Sequence, residues 1–599
     1  MFSMAKFNII KKLEIYLNIY SVFLLSFLFH LPLIFQGLDV IDEGYHLTHQ
    51  MASFASEVDV EHVSLMYFLS DFAGGFWLNL ISKPCLLWAR IGGLLLISIN
   101  SSTIFSILSI YFERRKAFAA VLITALFITM RSGYIIDYYS FPAFLLCLQL
   151  WLLNQIIQHS RDQAKMKLFS FLLGLLTVPI ILSRISLILL FLVPIALFVY
   201  YNFSNRDLSR AIQISKIASI GFASSAILFG IFYWYLGILS SIRIIIHTIW
   251  GSALGQTESH NMVNLIELYL RCYGEVVIGS IVLFGGFFVL MKFINSLKIS
   301  EDYEQLIPIL ITIFVLFLIQ ICSIYIPELA HSLAYPLLSV SIGLVVIFVR
   351  IFFIFNREAN FKLALLLISG TITMLINPIG SNTGIFKSSY GMWLILPLSL
   401  LCLDKAWDRL DCISCNFRLS FLKTALTVML IFALFFQFSN TNLDVPNRFE
   451  LDTAFSDPSL SGIFSTPEKV EVVDELLSQI KRYSGKNDEL LIVGIAPLFY
   501  YLTETKPVMG SPWLFITQDD IRIKHENVLK DKRYPKLVIV SKVDTLNWAW
   551  PNSKIEDSGI QTAYDYLVDE YLNKLNYTFL WENRAFEIYI RPDQESLFM

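Results

Sequence analysis

The chain has 599 residues, of which 56% are hydrophobic and only 16% charged, at a mean hydropathy of +0.63. A soluble domain carries about 25% charged residues, so a single soluble globule is excluded. A net charge of −3 gives no basic surface for nucleic acid.

The apolar residues cluster in runs long enough to cross a bilayer. Spans are expected at roughly 15–36, 91–112, 117–132, 138–157, 168–183, 185–201, 212–238, 274–294, 307–326, 334–355, 363–378, 390–403 and 419–438. Lys6, Lys11 and Lys12 precede the first run, and no small-residue cleavage site follows it. It therefore reads as a retained span rather than a removed signal peptide.

Residues 37–50, GLDVIDEGYHLTHQ, follow directly. Asp42 and Glu43 fall near the start of an expected helix. One reading is capping with dipole compensation; the other is a general base with an orienting or metal-binding neighbour. Asp39 and His46 are close enough to share such a site. Arg131 and Asp137 bracket the very short segment RSGYIIDYYSFP and must lie at the membrane surface, either as an ion pair or with Asp137 as a second acid of the pocket. Asp42 and Asp137 together would be positioned for a divalent cation, Mg²⁺ or Mn²⁺.

Residues 168–201 are apolar except near Ser183-Arg184. One helix of that length would run about 50 Å across a hydrocarbon core of about 30 Å. Two short spans are therefore expected, with Arg184 at a recessed turn. A buried arginine wants a carboxylate or a phosphate. Residues 239–273 include Ile242, Ile245, Ile246 and Ile249 at helical spacing, as in a helix lying on the membrane. His331 precedes a span, and Lys387 follows a Gly/Asn-rich loop able to present backbone N–H groups to an anion. The lone C-x-x-C, Cys412 and Cys415, has no second pair to complete a zinc site.

Counting Lys and Arg along the loops gives 20 on the N-terminal side and 7 on the other. The positive-inside rule then places the N-terminus in the cytoplasm, and thirteen spans place the C-terminus outside. After residue 440 charged residues become frequent. DELLIVGI, PKLVIVSK and FEIYIRPD read as buried strands, and EKVEVVDELLSQIKRYSG as an amphipathic helix ended by Gly485. The division expected is a membrane module, 1–440, and an extracytoplasmic α/β domain, 441–599.

Taken in order, these features resemble the GT-C superfamily of membrane glycosyltransferases, closest to the branch of lipid A aminoarabinose transferases and protein O-mannosyltransferases. The likeness rests on DEGYH at 42–46, Arg131-x5-Asp137, LSRISLILLFLVP at 182–194 with Arg184 where that branch has Lys, and AHSLAYPLL at 330–338. Gly is replaced by Ile185, and the Trp-Trp-Asp-Tyr-Gly signature of oligosaccharyltransferases is absent. The resemblance implies a polytopic α-helical protein of about 13 spans, of GT-C type, in the plasma or inner membrane. It implies transfer of a sugar from a polyprenyl-phosphate donor to an acceptor hydroxyl on a glycan, lipid or protein, by inverting displacement. Asp42 is the implied base, with Glu43 or Asp39 as substitutes. Asp137 and His46 would serve acceptor or metal. Arg184, Arg131, His331 and Lys387 would bind the donor phosphate. The rival classes are a transporter of a lipid-linked glycan and a non-catalytic assembly scaffold. The absence of related halves and the outer α/β domain favour the enzyme.

Overall fold

The computed structural model describes residues 17–55, 58, 62–82, 85–129, 134–191, 208–241, 262–274, 278, 361–379, 384–407, 431, 434–435, 437–441, 444–513, 518–553 and 559–592. The expected spans at 274–294, 307–326, 334–355 and 419–438 fall almost wholly outside these residues, as do Ile242–Ile249, Cys412 and Cys415. So do two of the site candidates, Arg131 and His331.

The membrane part is built from α1 (Ile19–His30), α4 (Leu86–Leu108), α5 (Arg114–Thr129), α6 (Ser140–Gln158), α7 (Gln163–Ser183), α8 (Leu208–Tyr235), α9 (Phe361–Ile376) and α10 (Ile395–Trp407); two shorter helices, α2 (Asp42–Ser53) and α3 (Phe68–Leu78), join α1 to α4. Among the described residues four helices, α4, α6, α7 and α8, are long and apolar enough to cross a membrane. Asn18 opens α1 with a capping box: its side chain accepts the Ser21 N–H while the Ser21 side chain closes back on the cap. One core of buried aliphatic side chains runs through α1, α4–α7, α9 and α10. α8 instead keeps Ile220, Ile227, Leu228, Ile231 and Trp234 exposed, the surface a helix offers to lipid.

Two span boundaries differ from expectation for physical reasons. The second span was expected to begin after Arg90, because a charge marks a membrane edge. The helix instead starts at Leu86 and runs through Arg90, which is fully buried. It can do so because Glu43 neutralises it. The run 390–403 becomes a 3-10 segment, Gly384–Gly391, followed by a helix that begins only at Ile395. At Ser183-Arg184 the chain leaves the helix, as expected, while residues 192–201 of the expected second short span lie outside the described residues. Arg184 is extended, with φ −163° and ψ 108°, and a 3-10 turn, Ile185–Phe191, follows.

The C-terminal region is α/β. A two-stranded antiparallel pair, β1 (Thr453–Ala454) and β2 (Phe464–Ser465), precedes α11 (Pro467–Tyr483). Thr466 caps α11 and Pro467 occupies its first turn. Val470, Val473, Leu477 and Ile480 form its buried stripe; each contributes about 1.5–3 kcal/mol of burial. The main sheet comprises β3 (Glu489–Val493), β4 (Lys506–Pro507), β5 (Leu537–Ser541), β6 (Thr578–Glu582) and β7 (Phe586–Ile590), in the order β4-β3-β5-β7-β6. β4, β3 and β5 are parallel; β7 is antiparallel to β5 and β6. The three strands and the helix expected from sequence lie at these positions.

This region is bolted to the membrane part through the segment between α1 and α2. The Asp444 carboxylate accepts from Leu38 N–H and is paired with buried Lys469. The Arg448 guanidinium donates to the carbonyls of Leu33 and Asn440. α12 (Leu498–Leu502) lies directly on α2. Leu498 N–H donates to the Val40 carbonyl, and the Thr48 hydroxyl to that of Pro497. A Cβ on Gly44 would stand 2.1 Å from Leu498 N, so only glycine allows this approach.

Candidate active site

The three acids after α1 have three different environments. Asp39 closes the N-terminus of α2: its carboxylate accepts the N–H groups of Ile41, Asp42 and Glu43. Burial, with the Asp42 and Glu43 carboxylates beside it, pushes the Asp39 carboxyl up to about 8. Glu43 is buried against Arg90. The guanidinium donates Nε–H to Oε1 at 2.9 Å and Nη2–H to Oε2 at 2.7 Å, and its remaining donors reach the carbonyls of Ile34 and Gly37. Both carboxylate oxygens of Glu43 are thus occupied by a bidentate ion pair that joins α2 to α4, with Arg90 also holding the segment after α1. Asp42, between them, is exposed, and its carboxylate has no hydrogen-bond or ionic partner among the described residues.

His46 follows one turn after Asp42. It is buried, with its ring 4.6 Å from that of Tyr138 and Nδ1 3.8 Å from the Asp71 carboxylate of α3. Asp137 caps α6, its Oδ1 accepting from Tyr139 N–H and Ser140 N–H. Its backbone N–H returns to the Ser140 hydroxyl. Asp137 faces His46 electrostatically, as does Asp42.

Arg184 sits at the other end of the same cluster. It is 3% exposed, yet the partners the structure gives it are neutral. Nη1 donates to Asn377 Oδ1 at 3.1 Å and Nη2 to the Ile379 carbonyl at 3.4 Å. The guanidinium lies 4.8 Å from the Tyr139 ring and 5.8 Å from that of Tyr138. Lys387 Nζ lies 4.3 Å from the same Tyr139 ring. Two cations therefore lie against one aromatic ring, and among the described residues Arg184 has no carboxylate within ion-pair distance. The amide N–H groups of Asn377 are buried without an acceptor there. This leaves unmet hydrogen-bonding capacity beside the buried guanidinium.

Tyr138 and Tyr139 form the spine between the two ends. Tyr138 stacks on Tyr67 at 4.2 Å and Tyr139 on Tyr390 at 4.8 Å. On one side stand Asp42, His46, Asp71 and Asp137; on the other, Arg184, Lys387 and Asn377. Reading the sequence missed Arg90, Asp71, Asn377 and the tyrosine pair. Only Asp71 left a signal, a single acid in the apolar run MYFLSDFAGGFW.

The fit to a divalent cation is poor. No group of three or more His, Cys, Asp or Glu side chains converges among the described residues, and one oxygen of Asp137 is committed to capping.

No family model and no curated protein matches the chain significantly. Solved structures do. The oligosaccharyltransferase AglB from Archaeoglobus fulgidus, in complex with an inhibitory peptide and a dolichol-phosphate, is similar over 87% of this chain and 69% of its own, at 11% identity and TM-score 0.48. ArnT from Cupriavidus metallidurans is similar over 96% of this chain and 97% of its own. The figures are 11% identity and TM-score 0.40 in its apo state, and 12% and 0.43 bound to undecaprenyl phosphate. Both are GT-C superfamily membrane glycosyltransferases. At these values the functional reading stands on this chain's own residues.

Proposed function

We propose that the protein is a membrane glycosyltransferase that moves a sugar from a polyprenyl-phosphate donor to an acceptor hydroxyl. The single observation that carries this is the buried Arg184, whose partners among the described residues are all neutral. A buried guanidinium whose partners among the described residues are neutral is costly, and a phosphate monoester would supply the missing charge. In the displacement, the acceptor oxygen bonds to the anomeric carbon as the bond from that carbon to the phosphate oxygen breaks. Asp42, the acid left unpaired at the start of α2, takes the acceptor proton. Arg184, Lys387 and the Asn377 amide receive the negative charge on the departing phosphate. One displacement inverts the anomeric configuration, by the geometry that governs inverting glycosidases. Glu43 holds Arg90 and positions the start of α2; Asp39 holds its first turn. Lipid-exposed α8 beside the site suits a donor delivered from the bilayer, and the α/β region resting on α2 suits acceptor selection. We place the reaction on the extracytoplasmic face, from the charge asymmetry of the loops.

The test is direct. Purified protein incubated with labelled polyprenyl-phosphate sugars should release or transfer sugar, and Asp42→Asn should abolish this while inserting normally. A transporter would move the lipid-linked sugar intact, and a scaffold would do neither.

A further inference from the structure

Resting on that reading, we propose that Ser70 is a positioning residue for the phosphate end: its hydroxyl fixes the Ser183 carbonyl, and with it the backbone that aims Arg184. Ser70 stands in the first turn of α3, and its Oγ–H donates to the Ser183 carbonyl of α7 at 2.8 Å. A helical serine ordinarily bonds its own backbone. Ser98 and Ser102 of α4 and Ser170 of α7 do so, each to a carbonyl four residues back. Ser70 instead reaches a residue 113 positions away.

The end of α7 explains why this bond matters. A helix leaves the carbonyls of its last turn without N–H partners. Here the Ile180 carbonyl accepts from the Ser183 hydroxyl, and the Ile181 carbonyl from Arg184 N–H. The Ser183 carbonyl receives the Ser70 hydroxyl. On the other side of Arg184, Ile185 N–H donates to the Met66 carbonyl at 3.4 Å. One segment, Met66 to Ser70, therefore grips Arg184 before and after, at the point where its backbone becomes extended. Behind the grip Phe68, Phe72, Leu182 and Tyr233 pack in one apolar cluster. Ser70 and Ser183 are both 0% exposed, so water does not take the place of the hydroxyl.

The grip bears on the chemistry because little else aims Arg184. Its side-chain bonds to neutral oxygens, at 3.1 and 3.4 Å, are long for a guanidinium. Its direction is set chiefly by where its backbone is held. A group that must meet a phosphate has to be held to within about 0.5 Å. Tyr67, inside the same segment, stacks on Tyr138, and the guanidinium lies against Tyr139. The segment thus fastens the phosphate end to the tyrosine spine of the site.

The experiment compares undecaprenyl phosphate with undecaprenol, which has the same tail and no charge, on the full-length protein in detergent. Wild type should prefer the phosphate. Ser70→Ala should weaken phosphate binding about tenfold and leave undecaprenol binding where it was; Ser70→Thr, which keeps the hydroxyl, should restore it. Ser170→Ala, which removes a buried hydroxyl bonded within α7, should change neither. Unchanged phosphate affinity in Ser70→Ala overturns the proposal. So does an equal loss for both ligands, which would make Ser70 a packing residue only. Backbone amide exchange, read by mass spectrometry, needs no ligand. The Ile185 and Leu187 amides should exchange faster in Ser70→Ala, and unchanged rates also overturn the grip. A wild type that binds the phosphate no better than the alcohol refutes the glycosyltransferase reading, whereas the amide exchange still decides the grip.

Discussion

Asp42 and Glu43 are adjacent acids with opposite assignments, and replacing Glu43 separates them. Glu43→Gln removes the charge that compensates Arg90, a guanidinium with 0% exposure inside a membrane helix. Breaking one partner of a buried ion pair costs about 3–5 kcal/mol. Here the upper part of that range is expected, because the counter-charge is lost and only one amide oxygen remains to accept from the two guanidinium donors now at 2.7 and 2.9 Å. The carbonyls of Ile34 and Gly37 still bond Arg90 but do not neutralise it. The double substitution Glu43→Leu with Arg90→Met removes both charges and should recover most of the loss. Asp42→Asn, at an exposed side chain without partners, should change stability by no more than about 0.5 kcal/mol. Unfolding in detergent, followed by tryptophan fluorescence and by the monodisperse fraction after heating, reads all four proteins. A Glu43→Gln variant as stable as wild type yet unable to transfer sugar would refute the argument and make Glu43 the chemical group.

Other outcomes follow from the same geometry. Arg184→Met removes a buried charge that has only neutral partners, so the protein should unfold no earlier than wild type while binding of polyprenyl phosphate is lost; a large drop in stability would show that Arg184 is structural. Gly44→Ala places a Cβ 2.1 Å from Leu498 N, so α2 and α12 must part. About 1–3 kcal/mol of destabilisation is expected, seen as faster proteolytic release of the α/β region. Asp39 is raised in the fold above its unfolded value, so the folded protein holds a proton there that the unfolded chain has given up. Stability should therefore fall as pH rises from the ordinary carboxylate range towards about 8. Asp39→Asn should flatten that slope, and an unchanged profile would contradict the assignment.

What the sequence carried was local. The break at Arg184 followed from comparing one apolar run with the thickness of a bilayer. The strands of the C-terminal region followed from short apolar runs between turn residues, and α11 from the spacing of Val470, Val473, Leu477 and Ile480. What it did not carry was long-range pairing. Asp42 and Glu43 are neighbours, and successive residues on a helix point about 100° apart. Which one faces Arg90 depends on α4 packing 47 residues away. Arg90 itself looked like a membrane boundary because a lone arginine is one; its neutralising partner is visible only in three dimensions. Asp71 and His46 meet across two helices, and Asn377 reaches Arg184 from 193 residues away. Tyr138 and Tyr139 carry no distinctive spacing, although they connect the two ends of the site.

The central claim is that one end of this site binds a lipid-linked phosphate and the other removes a proton. Binding of a polyprenyl phosphate and transfer from its sugar-linked form, measured side by side on wild type, Arg184→Gln and Asp42→Asn, test it most directly. The account predicts that Arg184→Gln loses binding and transfer together, whereas Asp42→Asn binds as wild type does and transfers nothing. Undiminished binding by Arg184→Gln, or transfer by Asp42→Asn, would contradict it.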